Sequence, residues 1–304
     1  MKWIIASVIV VWAGGACAGA PVCDATKVVA TGTLCAVKPS RTDPYTTNGF
    51  GDHVVGTPAA PVRGVWVHLS GTGGQPYYIR SKRWLNEVWD AEVMGQGYLL
   101  IDLAYDNFES VSESCSTDNG RAVDNCAGNI RLEVLTGANV SPLRNTSSVN
   151  SVEHRVEALI EYLGLTWDGW PGVRVSGHSQ GAGMAYYVAK YYGAQFACFL
   201  GGPYDVADYV PSPPRRSQSI ADWYLDTSIN ETLFGRMGAF VTTSDPNYRS
   251  FTLTYDLIGL VADQQWFEAN QPTYHDAAGK TIDGHAAAAY DPSLATLRAQ
   301  ACFK

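Results

Sequence analysis

The chain of 304 residues predicts an α/β fold in which a central, mostly parallel sheet is flanked by helices. Short apolar runs at residues 62–69 (VRGVWVHL) and 97–103 (GYLLIDL) are typical of buried parallel strands, and a segment of helical spacing lies between them. Strand, helix and strand of these lengths imply a right-handed crossover. Residues 173–187 then join a β-branched run to a small-residue, helix-forming run through the sequence Gly-His-Ser-Gln-Gly.

The remaining elements are predicted from their apolar patterns. In residues 81–94 and 152–163, apolar side chains recur every three or four positions, which predicts helices. Apolar runs at 196–200 and 237–242 predict two more strands, and residues 286–302 predict a closing helix.

Two stretches lack such patterns. Residues 103–149 are polar and carry two cysteines, so we expect a long loop closed by a disulfide. Residues 204–235 include a proline-rich segment and lie between two predicted strands. Long excursions from a compact domain often form lids, so this stretch is a candidate cap, although a plain surface excursion fits the pattern equally well.

The N-terminus has the form of a secretory signal peptide. Lys2 precedes the apolar stretch 3–12, and the small residues that follow favour cleavage after Ala18. A lipid-anchored Cys17 is the alternative, although no leucine-like residue precedes it at the expected position. Because the apolar stretch is too short to span a bilayer, we expect a secreted protein, extracellular or periplasmic, without a stable membrane anchor.

Six cysteines remain after that cleavage, an even number that favours disulfides in an exported chain. No CxxC pair or close Cys/His cluster occurs, so a structural zinc site is not expected. The spacings favour the pairs Cys23 with Cys35 and Cys115 with Cys126, which leaves Cys198 for Cys302.

The formal net charge is −8, and a basic run that could hold a polyanion is lacking. This composition argues against a nucleic-acid or anionic-membrane partner. No internal repeat or shift in composition divides the chain, so one large core is expected. The oligomeric state stays open.

Ser179 is the candidate nucleophile. When G-x-S-x-G occupies a sharp strand-to-helix turn, side chains two residues either way would collide with the serine, so glycine is needed at both flanks. The turn also puts the N–H of Gln180 at a helix N-terminus, where it can stabilise an oxyanion. For the second donor we expect Thr72, in the glycine-rich residues 70–74 that follow an early strand. Those residues lack the spacing of a nucleotide-binding loop.

A serine hydroxyl needs a histidine base, and that histidine needs a carboxylate to orient it. If the chain order is serine, acid, histidine, only His275 and His285 qualify as the base. His285, at a turn that leads into an alanine-rich helix, is favoured, and His275 remains the alternative. For the acid, Asp245 follows an apolar strand, and the carboxyl end of a strand is where open α/β sheets place functional groups. Asp205 is its main rival.

The other histidines fit catalysis less well. His178 cannot readily reach the hydroxyl of its neighbour, so we expect it to shape the pocket wall or to pack beneath the turn. His53, His68 and His154 precede the serine, and His68 lies in a predicted strand as a core histidine would.

Together these motifs make the chain resemble the α/β-hydrolase superfamily, in particular its secreted, disulfide-bearing esterase-like and lipase-like members. The likeness spans residue 62 to the C-terminus and includes LSGTGG, VSGHSQGAG, VTTSDP and DGHAAAA. It implies the α/β-hydrolase fold and hydrolysis of a carboxylic ester without a cofactor or metal. In that scheme Ser179 is the nucleophile, Asp245 the acid and His285 the base, with backbone donors from Gln180 and Thr72. The early loop is SGTGG and not the HGGG form of many esterases, which weakens the likeness at the second donor.

The residue patterns and the resemblance together predict the organisation of the chain. Residues 1–18 would be the signal peptide, 19–61 an N-terminal extension and 62–304 the catalytic domain, with 204–235 as the candidate cap. Peptide or amide hydrolysis on the same fold is the alternative activity, and a non-catalytic binding protein on a hydrolase scaffold is the alternative from another class. Small-molecule and polymeric esters fit the sequence equally well as substrates.

Overall fold

The computed structural model describes residues 21–202, 237–240 and 273–303. Its strands are β1 (Ala25–Val29), β2 (Gly32–Val37), β3 (His53–Pro58), β4 (Val65–Leu69), β5 (Tyr77–Tyr78), β6 (Arg83–Trp84), β7 (Leu99–Leu103), β8 (Arg174–His178), β9 (Phe196–Leu200), β10 (Met237–Phe240), β11 (Tyr274–His275) and β12 (Thr281–Ile282). Its α-helices are α1 (Pro39–Thr42), α2 (Glu87–Gly95), α3 (Val111–Ser116), α4 (Asp118–Arg121), α5 (Cys126–Thr136), α6 (Val152–Tyr162), α7 (Gln180–Tyr192), α8 (Gly284–Tyr290) and α9 (Ala295–Cys302).

The described residues form a central eight-stranded sheet in the order β1-β2-β3-β7-β4-β8-β9-β10. The five strands from β7 to β10 are parallel, whereas β1, β2 and β3 pair antiparallel. Helices cover both faces of this sheet. The predicted fold class, α/β with a central, mostly parallel sheet flanked by helices, is therefore confirmed.

Residues 21–61, the described part of the segment 19–61 that we expected to form an extension, contribute β1, β2 and β3 to the same sheet. Val54, Val55 and Gly56 pair with β7, so this segment is continuous with the parallel strands of the sheet. The short strands mix apolar residues with glycine and threonine, which hides the alternation that would have marked them in the sequence.

Alternating side chains of the sheet supply two core layers. Val67 and Leu69 of β4 pack with α5, α6 and α7 on one face, whereas Trp66 packs with Trp89 of α2 and with α8 on the other. Each large apolar side chain buried in this way contributes roughly 1.5–3 kcal/mol. Because both faces are covered, the functional groups meet at the carboxyl edge of the parallel strands.

Three predicted elements differ in detail from the structure. Residues 81–94 start as the second strand of a β5–β6 hairpin, and the helix begins only at Glu87. Residues 103–149, expected to be a loop, contain α3, α4 and α5. Helix α5 buries charged Arg131 and Glu133 together with its apolar residues, so it has no amphipathic pattern to detect. The closing helix is split at Asp291, which caps a short turn that starts with Pro292.

The described residues contain three disulfides, with the pairing that the spacings favoured. Cys115–Cys126 joins α3 to α5, and Cys198–Cys302 joins β9 to α9. No helix in the described part of the chain has the length and apolar character needed to cross a membrane. The paired cysteines are Cys23–Cys35, Cys115–Cys126 and Cys198–Cys302.

Candidate active site

Ser179 occupies a sharp turn between β8 and α7. Its φ of 55° and ψ of −120° place a non-glycine residue in a strained region that costs about 1–3 kcal/mol. The turn is held by its own backbone, because Ser179 N donates to the carbonyl of Leu200 at 2.9 Å and its carbonyl accepts from Ala182 N at 3.0 Å. Ser179 is half-buried, whereas the β8 residues 175–178 before it are buried.

Both flanking glycines are required by close backbone approach. A Cβ at Gly177 would lie 2.0 Å from the carbonyl oxygen of Gly181, and a Cβ at Gly181 would lie 1.9 Å from the carbonyl oxygen of Leu69. Backbone atoms cannot give way as a flexible side chain can. The geometry therefore matches the physical reason for G-x-S-x-G, two glycines that let the strand and the helix pass each other closely.

Residues 70–74, here called the glycine loop, lie against this turn. A Cβ at Gly71 would lie 3.0 Å from the Ser179 Cβ. The Thr72 hydroxyl donates to Gln180 Oε1 at 3.2 Å, and the same oxygen accepts from Val111 N at 2.9 Å. The structure thus brings the side chains of Thr72 and Gln180, whose backbone N–H groups are the predicted oxyanion donors, into contact with each other.

The glycine loop is held by buried side chains that the sequence analysis did not single out. Asn107 Nδ2 donates to the carbonyls of Gly71 at 2.7 Å and Gly74 at 2.8 Å, and the Asn107 carbonyl accepts from Gly73 N at 2.8 Å. The Tyr105 hydroxyl donates to another loop carbonyl at 2.7 Å. The sequence position gave a partial indication of their role, because Tyr105 and Asn107 follow the carboxyl end of β7, where functional groups of a parallel sheet gather.

A buried polar cluster supports the loop from below. Asn86 Nδ2 donates to Ser70 Oγ at 2.8 Å and to Asp102 Oδ2 at 2.7 Å. Burial raises the pKa of Asp102 to about 8, even though the hydrogen bond from Asn86 opposes the shift. Burial also raises the pKa of the neighbouring Asp90 well above its usual range, with Asp102 adding to the effect. Burial thus favours the protonated form of this carboxyl pair.

The histidines upstream of Ser179 are engaged away from it. His68 is a core histidine, as expected. The Ser176 hydroxyl oxygen accepts from the indole N–H groups of Trp66 and Trp89. The Ser176 hydroxyl proton is therefore donated to His68 Nδ1 at 2.8 Å. His53 accepts from the Ala104 N–H at 3.1 Å, and His154 contacts Asp43 at 2.6 Å.

His285 lies at the start of α8, beside the turn that holds Ser179. Its ring centroid is 4.9 Å from that of His178, and its carbonyl oxygen accepts a hydrogen bond from His178 Nε2 at 2.9 Å. The Asp283 side chain caps the helix by accepting from Ala286 N at 2.8 Å. The alternative base, His275, is exposed in β11.

Both candidate acids, Asp245 and Asp205, lie outside the described residues, as does the candidate cap. Among the described residues, no group of three or more His, Cys, Asp or Glu side chains could hold a metal ion. An open cavity of about 380 Å³ is lined in part by Trp84, Leu85 and Tyr290, and neither Ser179 nor His285 lines it. Two of these lining residues contact the surroundings of the site: Leu85 packs close to Gly74 of the glycine loop, and the Tyr290 hydroxyl contacts His178.

Several solved structures are similar to this chain at low identity. An S-formylglutathione hydrolase from Agrobacterium tumefaciens is 11% identical over 78% of this chain and 87% of its own, with a TM-score of 0.43. Esterase B from Lactobacillus rhamnosis is 12% identical over 77% and 74%, with a TM-score of 0.39. A hormone-sensitive lipase from a metagenome library is 13% identical over 70% and 69%, with a TM-score of 0.37. No protein-family model matches the chain, and no curated protein matches it.

Proposed function

We propose that this chain is a secreted serine hydrolase that cleaves carboxylic esters, with Ser179 as nucleophile, His285 as base and Asp245 as acid. The observation that carries the proposal is the strained Ser179 backbone between β8 and α7, with the glycine loop against its side chain. Strain of this size persists only where the surrounding structure enforces it, and such residues cluster at functional sites.

In the proposed reaction, Ser179 Oγ attacks the ester carbonyl carbon while His285 takes the hydroxyl proton. The tetrahedral intermediate then expels the alcohol, which receives that proton from His285, and an acyl-enzyme remains. Water attacks the acyl-enzyme with His285 again as base, which releases the acid and restores Ser179. Asp245 would fix the His285 tautomer and stabilise the imidazolium.

The charge that develops on the carbonyl oxygen would be stabilised by the N–H groups of Gln180 and Thr72. Gln180 N is the first N–H of α7, a thirteen-residue helix, so it has no acceptor within the helix and lies at the positive end of the helix dipole. The clamp of Asn107 on the glycine loop supports the second donor, because a fixed loop need not reorganise during the reaction.

Secretion is supported by the three disulfides, which persist in oxidising compartments. The proposed organisation keeps residues 1–18 as a signal peptide and 204–235 as a cap, both outside the described residues. The N-terminal region from residue 25 then forms part of the catalytic sheet, since β1, β2 and β3 pair within it.

Turnover of p-nitrophenyl esters of increasing acyl length, measured beside peptide p-nitroanilides, tests the proposal. We expect ester cleavage in the wild type, its loss in Ser179→Ala, and wild-type rates in Ser148→Ala, a control at an exposed serine. Exclusive cleavage of the anilides would favour the peptidase alternative, and no turnover of either would favour a binding protein. Asp245→Asn should cost about 10⁴-fold in kcat; a comparable loss in Asp205→Asn, with Asp245→Asn active, would move the acid to Asp205.

A further inference from the structure

His178 immediately precedes the proposed nucleophile as the last residue of β8, and its ring is buried. Its Nε2 is 2.9 Å from the His285 carbonyl oxygen, and its Nδ1 is 3.3 Å from the Tyr290 hydroxyl. Because a carbonyl oxygen only accepts hydrogen bonds, Nε2 must carry the proton, and Nδ1 of the neutral ring accepts from Tyr290. These contacts select one tautomer and use both ring nitrogens.

His178 is also unsuited to accept a proton during catalysis. Burial lowers its pKa to about 3, and the nearby His285 ring adds to the effect, whereas the hydrogen bond to the His285 carbonyl and the Asp283 charge act in the opposite direction. The ring therefore stays neutral through the physiological pH range, so its two hydrogen bonds to α8 keep the same donor and acceptor roles.

Both partners of His178 belong to α8. His285 is near the start of this seven-residue helix and Tyr290 is its last residue, so one imidazole holds the helix at two points. Gly201 leaves room for the contact, because a Cβ there would lie 3.2 Å from the His285 carbonyl oxygen and 3.4 Å from His178 Cδ2.

We propose that His178 is a positioning residue which, with Tyr290, fixes α8 against the nucleophile turn and so sets the alignment of the His285 imidazole with Ser179. The physical reason is covalent continuity: His178 and Ser179 are consecutive, so any movement of the turn carries the anchor of the base with it. This inference rests on the proposed function, in which His285 is the base.

Two substitutions at His178 separate positioning from packing. His178→Leu removes both hydrogen bonds, whereas His178→Gln can keep a donor near the Nε2 position. For the best p-nitrophenyl ester, we expect kcat to fall by roughly 100-fold in His178→Leu, since misplacement of a catalytic group by about 1 Å has this effect. His178→Gln should recover at least about tenfold of that loss through the restored donor. KM should stay close to wild type, and activity should still rise with pH as a histidine base loses its proton.

Tyr290→Phe gives a second measurement should His178→Leu fail to fold. It removes only a hydroxyl, and kcat should fall about three- to tenfold at unchanged KM, as expected for loss of one neutral hydrogen bond. The matched control is Tyr162→Phe at the end of α6, which removes a tyrosine hydroxyl that accepts from Val22 N. This variant should leave kcat unchanged.

The outcomes distinguish this inference from the proposed function. Wild-type ester turnover with unchanged kcat in Tyr290→Phe, or equal losses in His178→Leu and His178→Gln, would overturn the positioning role alone. If the residual activity of His178→Gln no longer rose with pH, His178 itself would be the base. A wild type without ester turnover would overturn the proposed function and this role with it.

Discussion

Substitution of Gly177 by alanine should disable the nucleophile turn. The added Cβ would lie 2.0 Å from the Gly181 carbonyl oxygen and 2.6 Å from Ala182 N, whereas real Cβ contacts are essentially never shorter than 3.0 Å. The backbone at the start of α7 must therefore move by about 1 Å, and it carries the proposed oxyanion donor Gln180. Overpacking of this kind costs about 1–3 kcal/mol of stability, and a 1 Å misplacement at a catalytic site costs about 100-fold in rate.

Gly172→Ala is the matched control, because its added Cβ would meet only the Asp168 Cβ at 3.8 Å, an ordinary contact. Ester hydrolysis and thermal unfolding are measured for both variants. We expect Gly177→Ala to lower kcat/KM about 100-fold and Tm by roughly 2–4 °C for each kcal/mol lost, while Gly172→Ala stays near wild type. Full activity and unchanged Tm in Gly177→Ala would refute the steric reasoning.

Three further predictions concern the surroundings of the site. Burial raises the pKa of Asp102 to about 8, so the folded state retains a proton that the unfolded state releases from about pH 4. The free energy of unfolding should therefore fall as pH rises between these values, by up to about 1.4 kcal/mol per pH unit. Asp102→Asn should reduce this pH dependence in urea unfolding, and an unchanged pH dependence would contradict the buried, proton-retaining carboxyl. Replacing Cys115 and Cys126 by serine opens a disulfide of sequence separation 11 and should lower the free energy of unfolding by about 3 kcal/mol, which denaturant titration would detect. Asn107→Asp replaces the amide that donates to the carbonyls of the glycine loop with a carboxylate that can only accept. It should lower kcat about 100-fold with little change in KM. Steady-state kinetics equal to wild type would show that Asn107 does not hold the loop for catalysis.

Much of the fold was predictable because the central strands are buried on both faces. Runs such as VWVHL in β4 and LLIDL in β7 are apolar almost throughout, so composition alone marks them. The nucleophile turn was predictable for a different reason: its sequence motif is local, and Gly177 is imposed by the backbone of Gly181 within that motif. Gly181 itself is imposed by the distant Leu69 carbonyl of β4, a contact that the motif alone does not reveal.

The supporting residues could not be predicted because their roles depend on distant contacts. Asn107 meets the glycine loop across 33 residues or more, and Tyr290 meets His178 across 112. Neither residue type is unusual in a loop or at a helix end. Helix α5 escaped prediction because its buried Arg131 donates to the Gln180 carbonyl, a use of charge that a hydrophobic pattern cannot reveal.

The central claim is that Ser179 is the activated nucleophile, and covalent labelling tests it most directly. The purified protein is treated with a fluorophosphonate, digested, and the modified peptide is identified by mass spectrometry. We predict a single adduct on Ser179, at a rate that falls sharply in His285→Gln and matches wild type in His275→Gln. Labelling at another residue, or no labelling of a folded protein that hydrolyses esters, would contradict the claim.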